Sequence, residues 1–286
     1  MGWLDVDGNH IWYQRQGAGD PIVLLHHGEA DHRLWDLQVA HLRDRYDVVV
    51  PDLLGFGRSD KPDVAYTLDL YARFVEHIVD DLGLAAVTLV GACVGSAAAL
   101  RYAYEHPDRV RSLILVSTLT SDTIGAGVLG RGTRVTRTSP LAVAAFRFVV
   151  RRAWIPRRLR EQPMRAAFGD RVDEDWAAYF GDQRWRDRRA ILAWVSMGQH
   201  TTSFTGPRPR KPDGFPPACS VWGAANRILP LSAGKAFTAA LDPDEAHVLD
   251  GAGHMAPLER PAELNAIIDA VLARHVARAS AGAERS

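Results

Sequence analysis

Gly91-Ala92-Cys93-Val94-Gly95 lies between an apolar run, Ala86-Val-Thr-Leu-Val90, and an alanine-rich stretch, Ser96-Ala-Ala-Ala-Leu-Arg-Tyr-Ala-Tyr104. The first reads as a short buried strand and the second as the helix that follows it. A strand passing into a helix through Gly-x-nucleophile-x-Gly makes a catalytic elbow. The turn is sharp enough to strain the nucleophile's backbone, so the residues two before and two after it must be small for strand and helix to approach. Gly91 and Gly95 meet that demand and Cys93 is the candidate nucleophile. Its place at a helix N-terminus, among unpaired amides and the positive end of the macrodipole, leads to the expectation of a lowered thiol pKa.

Outward from the elbow, strand signals at Ile11 to Gln16, Ile22 to His26, Asp47 to Pro51, Ala86 to Val90, Ser112 to Ser117, Ala218 to Trp222 and Ala246 to Leu249 alternate with helical stretches. The helices read as Arg33 to Arg43, Leu68 to Leu82, Val94 to His106, Ser232 to Leu241 and Pro261 to Arg278, the last opening on a proline. Such alternation predicts a mostly parallel sheet with helices on both faces. The alternation stops between Thr120 and Lys211, so residues 120–211 are expected to form a helical lid and residues 1–119 and 212–286 the core.

Two loops supply partners for Cys93. Gly251-Ala-Gly-His254 follows the strand-like Ala246 to Leu249 and offers His254 as general base, late in the order nucleophile, acid, histidine. Pro21-Ile-Val-Leu-Leu-His26-His27-Gly28-Glu29 runs from a strand into a turn, and the amides of Glu29 and Val94 are the expected oxyanion donors.

With these motifs the chain resembles the α/β-hydrolase superfamily over nearly its whole length. The resemblance is carried by the elbow, His27-Gly28, Pro51-Asp52-Leu-Leu-Gly55-Phe-Gly57-Arg-Ser59-Asp60, Val221-Trp222-Gly223 through Pro230, and Gly253-His254. It implies an α/β-hydrolase fold, a lid inserted after the sixth strand, no cofactor or metal, and a nucleophile, histidine and acid acting together. The chain departs from the superfamily pattern at two positions. Cysteine replaces the usual serine, and Asn226 in Trp222-Gly-Ala-Ala-Asn226 stands where aspartate is usual. The two changes are chemically coupled, because a thiolate–imidazolium pair needs its histidine oriented rather than made more basic. The expected triad is therefore Cys93, His254 and Asn226. An acid after the preceding strand is the alternative, with Asp122 the nearest carboxylate.

A cysteine nucleophile points to acyl transfer. The superfamily's haloalkane dehalogenases and epoxide hydrolases attack through aspartate to make an ester, which Cys93 cannot form, and a thioether would resist hydrolysis. An acyl-Cys93 intermediate suits hydrolysis of a small ester, thioester or lactone. It equally suits an acyltransferase fed by coenzyme A or an acyl carrier protein, since thioesters exchange with thiols and amines. A ligand-binding homologue without turnover is a further reading. So is zinc held by His27, Glu29, Asp31 and His32, although that would leave the elbow unexplained.

Composition fits a soluble enzyme. The 286 residues are 47% hydrophobic, enough for one α/β domain with an insertion. The two cysteines, Cys93 and Cys219, suggest a reducing compartment, and Cys219 reads as core. Absence of an export signal or a long apolar run leads to the expectation of a cytoplasmic protein that binds no membrane. Zero net charge conceals an asymmetry. Residues 120–211 hold 17 Arg and one Lys against eight acids, a charge of +10, leaving −10 on the rest. Such a lid could attract the phosphates of coenzyme A or an acidic carrier protein, or simply form a solvated face, as Arg184, Arg186, Arg188 and Arg189 would on a helix. Trp154, Phe168, Trp176, Tyr179, Trp185 and Trp194 are candidates for an acyl pocket or for lid core. No motif for entering a nucleic-acid groove is present, and Gly55-Phe-Gly57-Arg-Ser-Asp60 falls short of a dinucleotide fingerprint.

Overall fold

The computed structural model describes residues 1–152, 161–162, 165–208 and 210–283, without the side chains of residues 151, 181–186 and 275–283. Eight strands form one sheet: β1 (Gly2–Val6), β2 (Asn9–Gln16), β3 (Pro21–Leu25), β4 (Asp47–Pro51), β5 (Val87–Ala92), β6 (Val110–Val116), β7 (Ala218–Gly223) and β8 (Glu245–Leu249). Their order is β1-β2-β4-β3-β5-β6-β7-β8, with β1 and β2 antiparallel and every later pairing parallel. All residues of β4, β5 and β7 are buried, as a sheet covered on both faces requires.

Helices α1 (Asp36–Leu42), α2 (Leu68–Asp81) and α3 (Val94–Glu105) belong to the first half of the core. The α2 helix begins at Thr67, whose hydroxyl accepts the amide of Leu70, and it buries Tyr71, Phe74, Val75 and Ile78. The first helix differs from the expected Arg33 to Arg43: His32–Trp35 is a separate 3-10 turn, because Asp31 caps it through the Arg33 amide.

The insertion falls between β6 and β7. It contains α4 (Ser121–Ala126), α5 (Gly130–Thr138), α6 (Pro140–Arg152), α7 (Glu174–Arg186) and α8 (Arg188–Gln199). Polar contacts tie it to the core: Arg147 to Asp63, Lys61 to Asp187 at 3.5 Å, and the Tyr179 hydroxyl to Asp31 at 3.1 Å with the Arg33 guanidinium 4.2 Å above the Tyr179 ring. The chain closes with α9 (Leu231–Leu241), a short α10 (Ala256–Glu259) and α11 (Pro261–Ala283). Among the described residues no helix is long and apolar enough to cross a membrane.

Candidate active site

The elbow forms as its glycines demand. Cys93 has φ 53 and ψ −112, left-handed backbone that L side chains rarely adopt, and it sits immediately before α3. Its carbonyl accepts the amides of Ala97 at 3.0 Å and Leu119 at 3.2 Å, and its own amide donates to Val116 at 3.0 Å. A Cβ on Gly91 would meet the Gly95 carbonyl and the Ser96 amide, and one on Gly95 would run into the carbonyls of Leu25 and His26. Strand, turn and helix therefore lock the thiol at the carboxyl end of β5, where open parallel sheets place their ligands.

Cys93 opens onto a cavity of about 310 Å³ shared with His27, Gly28, Glu29 and His254. Its remaining wall is mostly apolar: Leu119, Ile124, Leu129, Trp194, Met197 and Ile228. The amides of Val94 and Gly28 face the thiol. Gly28, one residue before the expected Glu29, is a donor that sequence reasoning missed; Glu29 itself has φ 71. The turn is braced from behind by His26, whose Nδ1 bonds the His27 carbonyl at 2.7 Å and whose Nε2 accepts the Leu53 amide at 2.9 Å.

His254 reaches the same cavity on a tightly held loop. Its amide donates to Ala167 of the lid at 2.6 Å, while the Glu259 carboxylate accepts Gly169 at 2.6 Å and Gly253 at 2.9 Å. Burial raises the Glu259 carboxyl even though these amides pull it down. A carboxylate clamping lid and histidine loop together was not foreseen.

Asn226, following β7, lies 3.2 Å from His254 Nδ1 through its Nδ2, which also donates to Ser117 Oγ at 3.1 Å. Its Oδ1 accepts the amides of Ile228 at 3.1 Å and Leu229 at 2.9 Å. Two N–H donors can meet only an oxygen, so the amide's orientation is fixed by the backbone. The expected neighbour of His254 is thus present, and Asp122 is not at that place: it lies exposed on the first turn of α4.

This geometry alters the expected chemistry in two ways. Asn226 presents a donor to Nδ1, so Nδ1 accepts and the ring proton sits on Nε2, the opposite tautomer from one facing a carboxylate. His254 is held well below the usual histidine range by burial and by His27. The thiol, expected to be acidic, is instead pushed up to about 12, because burial and the Glu29 charge outweigh the amides of Val94 and Gly28. Cysteine and histidine rest as a neutral pair rather than as thiolate and imidazolium.

The zinc set is split by the fold. His27 and Glu29 face the cavity, Asp31 is engaged by Arg33 and Tyr179, and His32 Nδ1 bonds Asp52 at 2.9 Å. Asp31, His32 and Asp52 offer ligand atoms within 4.8 Å of one another, but His32 is bonded to Asp52 while Asp31 is bonded to Arg33 and Tyr179. Of the lid aromatics, Trp194 lines the cavity. Phe168 is core, and Trp176 stacks on Phe180 at 5.5 Å and contacts Tyr179 edge-on. Trp154 and the side chains of Arg184, Trp185 and Arg186 lie outside the described residues.

Comparison with known proteins agrees with this architecture. The chain is 29% identical to the uncharacterised Rv2715 protein of Mycobacterium tuberculosis over 278 residues, 92% of this chain and 78% of that one. It is 37% identical to haloalkane dehalogenase 2 of the same organism over 117 residues, 41% of each chain. Among solved structures, Est816, described as an N-acyl homoserine lactone degrading enzyme, matches at TM-score 0.71 and 22% identity over 94% of this chain and 99% of its own. The esterase of Exiguobacterium antarcticum matches at TM-score 0.76 and 18% identity over 94% and 98%. The family model for the alpha/beta hydrolase fold matches residues 21–261, and by that match, its sheet order and its elbow the chain belongs to the α/β hydrolase fold family.

Proposed function

We propose that this protein is a hydrolase that cleaves a small, largely apolar ester, thioester or lactone through an acyl-Cys93 intermediate. The observation that carries this reading is the Cys93 thiol on a strained elbow, opening onto an apolar cavity with the amides of Val94 and Gly28 beside it. An acyl carbonyl entering the cavity would meet sulfur and backbone N–H groups together. The developing oxyanion would be stabilised where water is excluded and such donors act most strongly. The cavity is at the small end of the roughly 300–1,000 Å³ common for ligand pockets, which favours short acyl chains or compact lactones. Hydrolytic names among the relatives, an esterase and a lactone-degrading enzyme, point the same way.

His254 contributes as an Nε2–H donor and Asn226 as the residue that keeps it so. In an acyltransferase the acceptor would be an alcohol or amine in place of water, with a coenzyme A or carrier-protein donor drawn to lid arginines such as the exposed Arg131, Arg134 and Arg137. Burial that raises the Cys93 thiol and lowers His254 favours a ligand-binding protein instead.

Incubation with short-chain p-nitrophenyl esters and acyl-coenzyme A thioesters, followed by intact mass measurement, tests all three. The expected outcome is an adduct of acyl mass that is absent from Cys93→Ala and that decays in water. Decay only on adding an amine or alcohol would mean a transferase. No adduct and no turnover with any donor, together with Cys93 resistant to iodoacetamide, would leave the binding protein.

A further inference from the structure

The sheet carries a second cluster of reactive side chains, at the opposite end from Cys93. Parallel strands set registered residues on a common face, and side chains alternate along each strand. Cys219 of β7 pairs with Glu245 of β8 and Val221 with His247, while Cys219 also pairs with Ile114 of β6. Cys219, Glu245, His247 and Ser112 therefore share one face of the sheet. Ser220 points to the other face and bonds Thr238 of α9 at 2.8 Å. Cys219 and Glu245 stand at the amino ends of their strands, whereas Cys93 follows the carboxyl end of β5.

The Cys219 sulfur, a Glu245 carboxylate oxygen and a His247 ring nitrogen all lie within 4.8 Å of one another. The carboxylate divides its oxygens: Oε1 meets the Arg274 guanidinium, and Oε2 stands 3.2 Å from His247 Nε2. Ion pairing accounts for Glu245, His247 and Arg274 but not for a thiol set among them. Beside the cluster is a cavity of about 340 Å³ lined by Ser112, Cys219, Asp244, Glu245 and Arg274. The Ser112 hydroxyl is buried and has no hydrogen-bond partner among the described residues. Buried hydroxyls are nearly always bonded, so this one marks a place for a further polar molecule. The His247 side chain is 38% exposed, which leaves the cluster open to an ion from solvent.

We propose that Cys219, Glu245 and His247 bind a zinc ion that pins the edge strand β8 to β7, with water as the fourth ligand and the Ser112 hydroxyl as a partner for that water. Thiolate, imidazole and carboxylate together suit zinc, whereas magnesium and calcium prefer oxygen alone. The thiolate and carboxylate charges balance a divalent ion. Donors stand about 2.0–2.3 Å from zinc and so roughly 3.5 Å from each other, and a shift of about 1 Å closes the present separation. Burial and the Glu245 charge push the Cys219 thiol up to about 12, although Arg274 pulls it down. Zinc therefore displaces the thiol proton to solvent as the S–Zn bond forms. Lying across the sheet from Cys93, the ion is structural rather than catalytic. It departs from the expectation, drawn from family resemblance, of a protein without a metal, and it does not depend on the acyl-Cys93 reading.

The test is metal binding by the full chain after stripping with EDTA. Zinc affinity is read by competition with a chromophoric chelator, cobalt binding by its thiolate charge-transfer band, and stability by urea unfolding with zinc or with magnesium. Wild type and Cys93→Ala are each expected to bind one zinc, to show the cobalt band, and to gain stability from zinc but not from magnesium. Cys219→Ala is expected to lose the band. His247→Gln, a change at a partly exposed side chain, is expected to bind zinc at least about tenfold more weakly. Circular dichroism establishes that each variant is folded, and if Cys219→Ala is not, His247→Gln decides. A wild type without the cobalt band, a band lost in Cys93→Ala but kept in Cys219→Ala, or undiminished zinc affinity in His247→Gln overturns the site and leaves an ion pair beside a core thiol.

Discussion

Exchanging one atom pair, carboxylate oxygen for amide nitrogen at position 226, changes what His254 is. In the usual arrangement the ring donates from Nδ1 and keeps Nε2 basic; here Nδ1 accepts from Asn226, and an imidazolium would set two donors against each other. The Ile228 and Leu229 amides prevent the side chain from turning over, since that would place its NH₂ against two N–H groups. The consequence is measurable without any substrate. Nitrogen chemical shifts of labelled protein should show His254 neutral from pH 8 to pH 6, with the proton on Nε2. In Asn226→Asp the proton should sit on Nδ1 and the titration should move up by about 1–3 units. A wild-type His254 that titrates near the ordinary value would show that it is not a fixed donor.

At the scale of elements, the elbow works because three backbone segments touch with no side chain between them. The glycine that α3 presents at position 95 lies against the end of β3, and Gly91 of β5 lies against α3. For Gly95→Ala the obstructing atoms are the backbone carbonyls of Leu25 and His26, which lead directly into the oxyanion turn and cannot step aside as a flexible side chain would. The expected cost is about 1–3 kcal/mol of stability, with a larger loss of Cys93 reactivity because the Gly28 amide moves with its neighbours. Urea unfolding alongside iodoacetamide alkylation checks both, and unchanged values would show that the close approach is not structural.

The elbow, the parallel strands and the inserted lid were legible in the sequence because each rests on local pattern: apolar runs of five or six residues, glycines at fixed offsets, a break in alternation. β1 was not read, since only Val6 of its five residues is buried, although Asp7-Gly8 with φ 52 and 77 is a two-residue hairpin signal. The site divided along the same line. Positions 93, 226 and 254 could be read from motifs. The direction of the Asn226 amide, the Gly28 donor, the Glu259 clamp and the rise of the thiol pKa could not, because they depend on how distant segments bury one another.

For the whole molecule, lid and core form one buried site whose neutral groups couple it to pH. Lid and core are joined by Arg147 to Asp63, Lys61 to Asp187 and Tyr179 to Asp31, and between them they bury histidines that stand behind and beside the elbow. Burial lowers His26 and His254 below the ordinary 6.5 and brings His27 to about 4. Once unfolded, each would titrate near 6.5, so below that pH the unfolded chain binds more protons than the folded one and stability must fall as pH falls. For His27 alone the window runs from about 6.5 down to about 4 and is worth on the order of 3 kcal/mol across its width. Two carboxyls modify the acid limb. Glu259, raised by burial, takes its proton earlier in the folded state and partly offsets the loss above its ordinary 4.5. Asp52, pushed up by burial but brought below 3.8 by the His32 and Arg58 hydrogen bonds, adds a further loss at lower pH. The urea midpoint should therefore drop steadily between pH 7 and pH 4.5, with the loss beginning in the histidine range, well above ordinary carboxylate values. His27→Gln should flatten that slope by several tenths to one proton per molecule. A midpoint constant down to pH 5 would mean that these rings are hydrated in the native protein, and would remove the dry, neutral site on which both the fixed His254 tautomer and the raised Cys93 thiol depend.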